Sequence, residues 1–306
     1  MNIKIFGGSG FIGRHLSRHL LNMNHEVTIL DLKKPNIMGI DLYNYDMKWD
    51  SPLRFIKTNI KNYEDVFYNI YPGDYVINLA AISQFTQADN EPHTTMSVNV
   101  AGATNVIKAC IMNRASKLIY TSTGSVYSKE STIPIDENQP TKPDSVYGMS
   151  KLWAEQIQQH YADKIPLTIL RLPYVVGPGK TWGANSFIVK LRNNEKPIVF
   201  GDGSNRNDFT HVTDITNAIS LSLNSNKTGI FNIGSGESRS TLEFLNCVKK
   251  FTGKTNIDPL FISERKVDFK NFVYNIDKAK RELGYSPKMN FEQTIKKTCS
   301  EWDDWL

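Results

Sequence analysis

The chain has 306 residues, 40% hydrophobic and 22% charged, the balance of a soluble globular protein. Its net charge of +5 comes from scattered lysines, which argues against a nucleic-acid tail and suits an anionic small molecule. No apolar stretch reaches membrane-spanning length, the amino terminus enters a strand at once and leaves no room for a signal peptide, and Cys110, Cys247 and Cys299 are too few and too dispersed for a disulfide framework.

The first apolar run, residues 3–7, meets Gly7, Gly8, Gly10 and Gly13, and an amphipathic stretch over 11–23 follows. This predicts strand, tight turn and helix. Glycines let a pyrophosphate approach the backbone, and the helix N-terminus offers free N–H groups and partial positive charge. A second strand, 26–31, ends in Asp31, placed to accept the diol of a ribose. A carboxylate there favours NAD over NADP, although Lys33 and Lys34 just beyond leave NADP possible. His15 and His19 lie at helical spacing without a carboxylate beside them, so they read as a solvated helix face and no metal site is expected.

Further strands are predicted at 54–57, 75–80, 117–122 and 167–171, with helices at 63–70, 96–113 and 148–163 between them. The alternation predicts an α/β fold: a doubly wound parallel sheet of the Rossmann kind with a smaller C-terminal α/β lobe. The expected division is a dinucleotide-binding domain over 1–172 and a substrate lobe over 173–306, with roughly 208–236 returning to the first domain. Phe231 opens a late strand, and helices are expected over Thr241–Phe251, Asp277–Leu283 and Phe291–Trp305. Trp302 and Trp305 read as packing residues.

Tyr147 and Lys151 stand one helical turn apart, and Thr123 ends an apolar strand upstream. A phenol ionises near 10 in water, so it serves as a base at neutral pH only if something lowers it, and an ammonium one turn away does so. Thr123 can share a hydrogen bond with the same substrate oxygen. Together the three suit moving a proton on or off a hydroxyl while a hydride leaves its carbon. The Tyr–Lys spacing alone is common; the glycine turn and Asp31 give it meaning.

On these residues the chain resembles the extended short-chain dehydrogenase/reductase family, and within it the nucleotide-sugar epimerases, dehydratases and reductases. Gly7, Gly10 and Gly13 fit the family's G-x-x-G-x-x-G, and Leu283–Pro287 fits its C-terminal signature. The resemblance implies catalysis by Thr123, Tyr147 and Lys151. It implies a cofactor held by Gly7, Gly10, Phe11, Ile12, Gly13, Asp31, Asn59, Ile60, Leu79, Ala80, Ala81, Asn99, Tyr147, Lys151, Pro173 and Val175. It places Ser83, Thr123, Tyr174, Asn185, Asn207 and Arg265 on the substrate. It also implies a nucleotide-diphosphate sugar as substrate, a homodimer through helices 96–113 and 148–163, and a cytoplasmic location.

Three departures narrow the expected activity. Where sugar 4,6-dehydratases resemble one another in Thr-Asp-Glu, this chain has Thr123, Gly124 and Ser125, so the acid pair for elimination is missing. Tyr174 replaces the asparagine of many 4-epimerases. Asn207 stands where an arginine grips the diphosphate, and the neighbouring Arg206 would point elsewhere on a strand. The expected functions are therefore a 4-epimerase acting through a transient 4-keto sugar, a one-way reductase of a 4-keto-6-deoxy sugar nucleotide, or a non-catalytic dinucleotide-binding protein.

Overall fold

The computed structural model describes residues 1–37, 51–264 and 269–305. The six expected strands form as β1 (Asn2–Phe6), β2 (Glu26–Asp31), β3 (Leu53–Lys57), β4 (Tyr75–Asn78), β5 (Lys117–Thr123) and β6 (Leu167–Leu172). The late strand, Gly229–Asn232, joins them in one parallel sheet ordered Gly229–Asn232, β6, β5, β4, β1, β2, β3. The order reverses between β1 and β4, so a crevice opens at their carboxyl ends, where doubly wound sheets bind ligands.

Both faces of the sheet are covered, and the strands alternate accordingly. Ile3, Ile5, Ile77 and Ile119 face helix α1 (Phe11–Asn22) and the helix Val212–Asn224. Phe6, Val76, Leu118 and Tyr120 face the helices Ala103–Met112 and Val146–His160. A third apolar cluster, with Phe187, Leu191, Phe209, Phe244 and Trp302, lies in the C-terminal half.

Several elements depart from expectation. The helix over 96–113 is a composite of a short α-helix Pro92–Met96, a π-helical turn Ser97–Gly102 and the helix Ala103–Met112. The helix expected at 148 begins at Val146, because the Ser145 hydroxyl accepts the Gly148 N–H at 3.0 Å and caps it. The helix Val212–Asn224 escaped the apolar pattern: Thr216, Ser220 and Ser222 interrupt it and yet are buried. Ser222 satisfies itself by donating to the Ala218 carbonyl at 2.8 Å. The C-terminal helix stops at Ser300, and a short 3₁₀ turn Asp303–Trp305 follows. Trp302 and Trp305 are buried packing residues. No helix among the described residues is long and apolar enough to cross a membrane.

His15 is not solvated. Its ring stacks on Trp305 at 3.6 Å and bonds the Pro178 carbonyl at 3.0 Å. His211 is equally buried, and its Nδ1 accepts the Thr213 N–H at 3.2 Å as an N-cap. Burial lowers the two to about 4 and about 3 respectively, and nearby positive charge adds to this. Below about pH 6.5 the unfolded chain therefore takes up protons that the folded protein refuses. Stability contributed by these rings is expected to fall as pH drops from 6.5 toward 4 for His15 and toward 3 for His211. Urea unfolding across that range measures it, and His15→Phe should flatten the part of the slope that His15 supplies.

Candidate active site

A cavity of about 810 Å³ opens at the crevice between β1 and β4 and continues toward the C-terminal half. Its floor begins at the glycine turn. Gly7 has φ +76°, and a Cβ there would lie 2.6 Å from the Ala80 nitrogen; a Cβ on Gly13 would lie 2.5 Å from Gly8 Cα. The turn is thus packed backbone against backbone. Helix α1 then starts at Gly10 without a side-chain cap and without an acid in its first turn. Its leading N–H groups stay available, as a phosphate requires. Asp31 stands behind the turn and accepts N–H groups from Ser9 (2.9 Å) and Leu32 (2.7 Å). A carboxylate has about four lone-pair sites, so acceptors remain for a diol. These residues fit a dinucleotide.

The opposite wall carries Thr123, Tyr147 and Lys151. Thr123 ends β5, and the helix Val146–His160 packs so closely there that a Cβ on Gly148 would meet the Ser125 carbonyl at 2.4 Å. This contact sets the Tyr147 phenol near Thr123, which partly offsets the effect of burial on it. The Thr123 hydroxyl also accepts the Ser125 N–H at 3.2 Å. The Phe85 ring stands edge-on to Tyr147 at 5.6 Å.

The helix is held to the sheet by a buried ion pair one turn beyond Lys151. Glu155 accepts from Arg171 Nε at 3.0 Å and Nη2 at 2.7 Å, with both side chains almost fully enclosed. The Arg171 guanidinium lies over the Tyr127 ring at 4.7 Å, and Tyr127 donates to Asn232 Oδ1 at 2.8 Å.

Ionisation at the site runs against the sequence expectation. Burial pushes the Tyr147 phenol up to about 12, only partly offset by Thr123. Burial also brings Lys151 down to about 7, with Glu155 opposing. Lys151 Nζ sits 4.2 Å from the centre of the Tyr120 ring, and Glu155 is already engaged by Arg171. Burial therefore keeps the phenol protonated and Lys151 only partly charged at neutral pH.

Of the expected cofactor residues, Gly7, Gly10, Phe11, Ile12, Gly13, Leu79, Ala81, Pro173 and Val175 line the cavity. Of the expected substrate residues, so do Ser83, Thr123, Tyr174 and Asn207. Others take supporting places. Asn99, carried by the π turn, binds both backbone groups of Ile82 (2.8 and 3.0 Å) and donates to Ser150, fixing a cavity segment from behind. Ile60 packs over Gly102, where a Cβ would lie 2.6 Å away. Asn59 accepts the Lys61 N–H within its own turn. Ala80 contributes the backbone that Gly7 touches. Asn185 is buried and donates to the Gly177 carbonyl at 2.9 Å. Arg265 lies outside the described residues. Arg206 points away from the cavity as expected, to Glu243 (3.0 Å) and the Ser238 carbonyl (2.7 Å).

Sequence reasoning missed Phe85, Lys180, Trp182 and Phe272, all on the cavity wall. Only Lys180 carried a signal, as a cation in a Gly-Pro-Gly turn. The absence of an acid after Thr123 has a steric cause: a Cβ on Gly124 would lie 2.3 Å from Phe272 Cζ and 2.9 Å from the Tyr274 hydroxyl.

Residues 3–234 match the NAD dependent epimerase/dehydratase family. A putative UDP-glucose 4-epimerase of Methanocaldococcus jannaschii is 30% identical, covering 97% of each chain. The crystal structure of UDP-glucose 4-epimerase with UDP-glucose from Thermotoga maritima superposes with a TM-score of 0.89 at 27% identity, covering 99% of each chain. UDP-glucuronic acid 4-epimerase from Bacillus cereus, in complex with UDP-glucuronic acid and NAD, superposes at 0.87 with 27% identity over 100% of both.

Gly7→Ala is expected to cost about 1–3 kcal/mol, because it combines positive φ with a backbone clash. A denaturant titration reads this, and an unchanged midpoint would mean that Ala80 yields without penalty.

Proposed function

The chain belongs to the NAD-dependent epimerase/dehydratase family, and on that premise we propose that it is a nucleotide-sugar 4-epimerase that keeps its NAD. The observation that carries the reading is the meeting of Thr123, Tyr147 and Lys151 across the cavity from an uncapped glycine-turn helix. The two solved neighbours named above are 4-epimerases of UDP-sugars, which supports epimerisation over one-way reduction and over a non-catalytic role. Gly124, closed in by Phe272 and Tyr274, supports the exclusion of elimination.

NAD, bound over the glycine turn with its ribose on Asp31, would supply the acceptor and donor of the C4 hydride. The protein's own residues handle the proton. Tyr147 takes it from the 4-hydroxyl and returns it, with its oxygen positioned by Thr123. Lys151, in its charged form, lowers the phenol from its buried value and holds the cofactor ribose. Ser83, Tyr174 and Asn207 would contact the sugar nucleotide.

Two broader assignments go with this reading. The dinucleotide-binding unit comprises 1–172 with 208–236, supported by strand Gly229–Asn232 beside β6; the remainder forms the substrate lobe around the third apolar cluster. The protein is a cytoplasmic homodimer. Supporting this, Cys110, Cys247 and Cys299 are free. Met112, Met149 and Trp153 also expose apolar surface on the helices Ala103–Met112 and Val146–His160.

Purified protein is expected to equilibrate a UDP-hexose pair with no added cofactor. Tyr147→Phe should lower turnover by about 10²–10⁴-fold while retaining the dinucleotide; full activity in that variant would sink the mechanism. Consumption of NADH or NADPH in step with a 4-keto-6-deoxy sugar nucleotide would instead establish the reductase. Trp153→Glu should shift the sedimentation coefficient from dimer to monomer, and an unaltered dimer would move the interface elsewhere.

A further inference from the structure

Lys180 is a buried amine without a buried anion. It sits in the turn after strand Tyr174–Val176, is 9% exposed, and lines the cavity. Its Nζ donates to the Val175 carbonyl at 2.8 Å. Three rings surround it: Tyr174 at 4.4 Å, Phe11 at 5.7 Å and Trp182 at 5.7 Å from the ring centroids. An ammonium has three donors, and among the described residues no carboxylate pairs with this one.

Such a group is costly to bury unless a ligand compensates it. Burial alone brings its ionisation down to about 7. The other lysines of the cavity wall are already placed: Lys129 pairs with Asp144 at 3.3 Å, and Lys151 stands over the Tyr120 ring at 4.2 Å. Position 207 is a neutral asparagine, and Arg206 is turned toward Glu243. Lys180 thus bridges two regions. Phe11 opens helix α1 at the glycine turn, and Tyr174 lies on the side assigned to the sugar nucleotide.

We propose that the Lys180 ammonium binds a phosphate oxygen of a diphosphate in the cavity, with the three rings setting the amine's position. This rests on the sugar-nucleotide reading above, and two bound groups could supply the diphosphate: the sugar nucleotide or the cofactor. In either case Lys180 is a binding residue; on the sugar nucleotide, its charge replaces the one missing at Asn207.

Calorimetric titration of UDP and uridine into the protein as purified, and of NAD into protein stripped of its cofactor, for wild type, Lys180→Met and Lys180→Arg tests this. Methionine fills the same aromatic surroundings without charge; Lys180→Gln is a second neutral variant read in the same way. The expected result is a rise of about 10- to 100-fold in the UDP dissociation constant of Lys180→Met, the loss of one charge-assisted hydrogen bond. Uridine and NAD affinities should hold, and Lys180→Arg should recover part of the loss. Weakened NAD with unaltered UDP would support the assignment and place the contact on the cofactor. Unaltered UDP and NAD would overturn it, as would an equal loss for uridine and UDP. Tyr147→Phe separates this from the activity: weak UDP binding in Lys180→Met beside full turnover in Tyr147→Phe would defeat the catalytic reading and leave the phosphate contact standing.

Discussion

The buried pair of Glu155 and Arg171 is the constraint on which the site's geometry depends. Enclosing two charges carries a large desolvation cost, so such a pair is a weak source of net stability. Its effect here is positional. The fork of Arg171 grips the carboxylate through two nitrogens, which sets distance and angle together. It joins the helix Val146–His160 to β6, and through Tyr127 and Asn232 it reaches the strand beside β6. Tyr147 and Lys151 are two turns and one turn from the anchor on the same helix. A rotation or slide of that helix would separate the phenol from Thr123, whose position is set by β5.

This arrangement also explains the muted charge of the site. A carboxylate one turn from Lys151 would ordinarily hold it as an ammonium. Arg171 occupies that carboxylate, and the neighbourhood of Lys151 is aromatic. Burial therefore keeps the phenol protonated and the lysine only partly charged at neutral pH.

Much of the fold was legible because it rests on local rules. The strand–glycine–helix opening, Asp31 and the parallel strands follow from spacing and apolar periodicity, and Thr123, Tyr147 and Lys151 fall where they were expected. The remainder depends on tertiary direction. Asn99 looks like a cofactor residue in sequence, yet the π turn aims it at the Ile82 backbone. The helix Val212–Asn224 hides behind hydroxyl side chains that find their own backbone acceptors. His15 seemed exposed because its cover, Trp305, comes from the far end of the chain. The ionisation of Tyr147 could not be read from a four-residue spacing, since burial, opposed only by Thr123, sets it.

The crowded floor beneath Gly124 bears on how this scaffold can diversify. Phe272 and Tyr274 fill the volume that any side chain at that position would need, and Tyr274 also packs edge-on against Tyr127 beneath Arg171. Introducing an acid would thus require remodelling two aromatic residues that help support the helix anchor. A side chain at Gly124 must displace these rings, whereas the wall near Ser83 and Asn207 borders the cavity and carries no such packing. The steric obstacle to substitution is thus concentrated at Gly124, not on the open wall of the cavity.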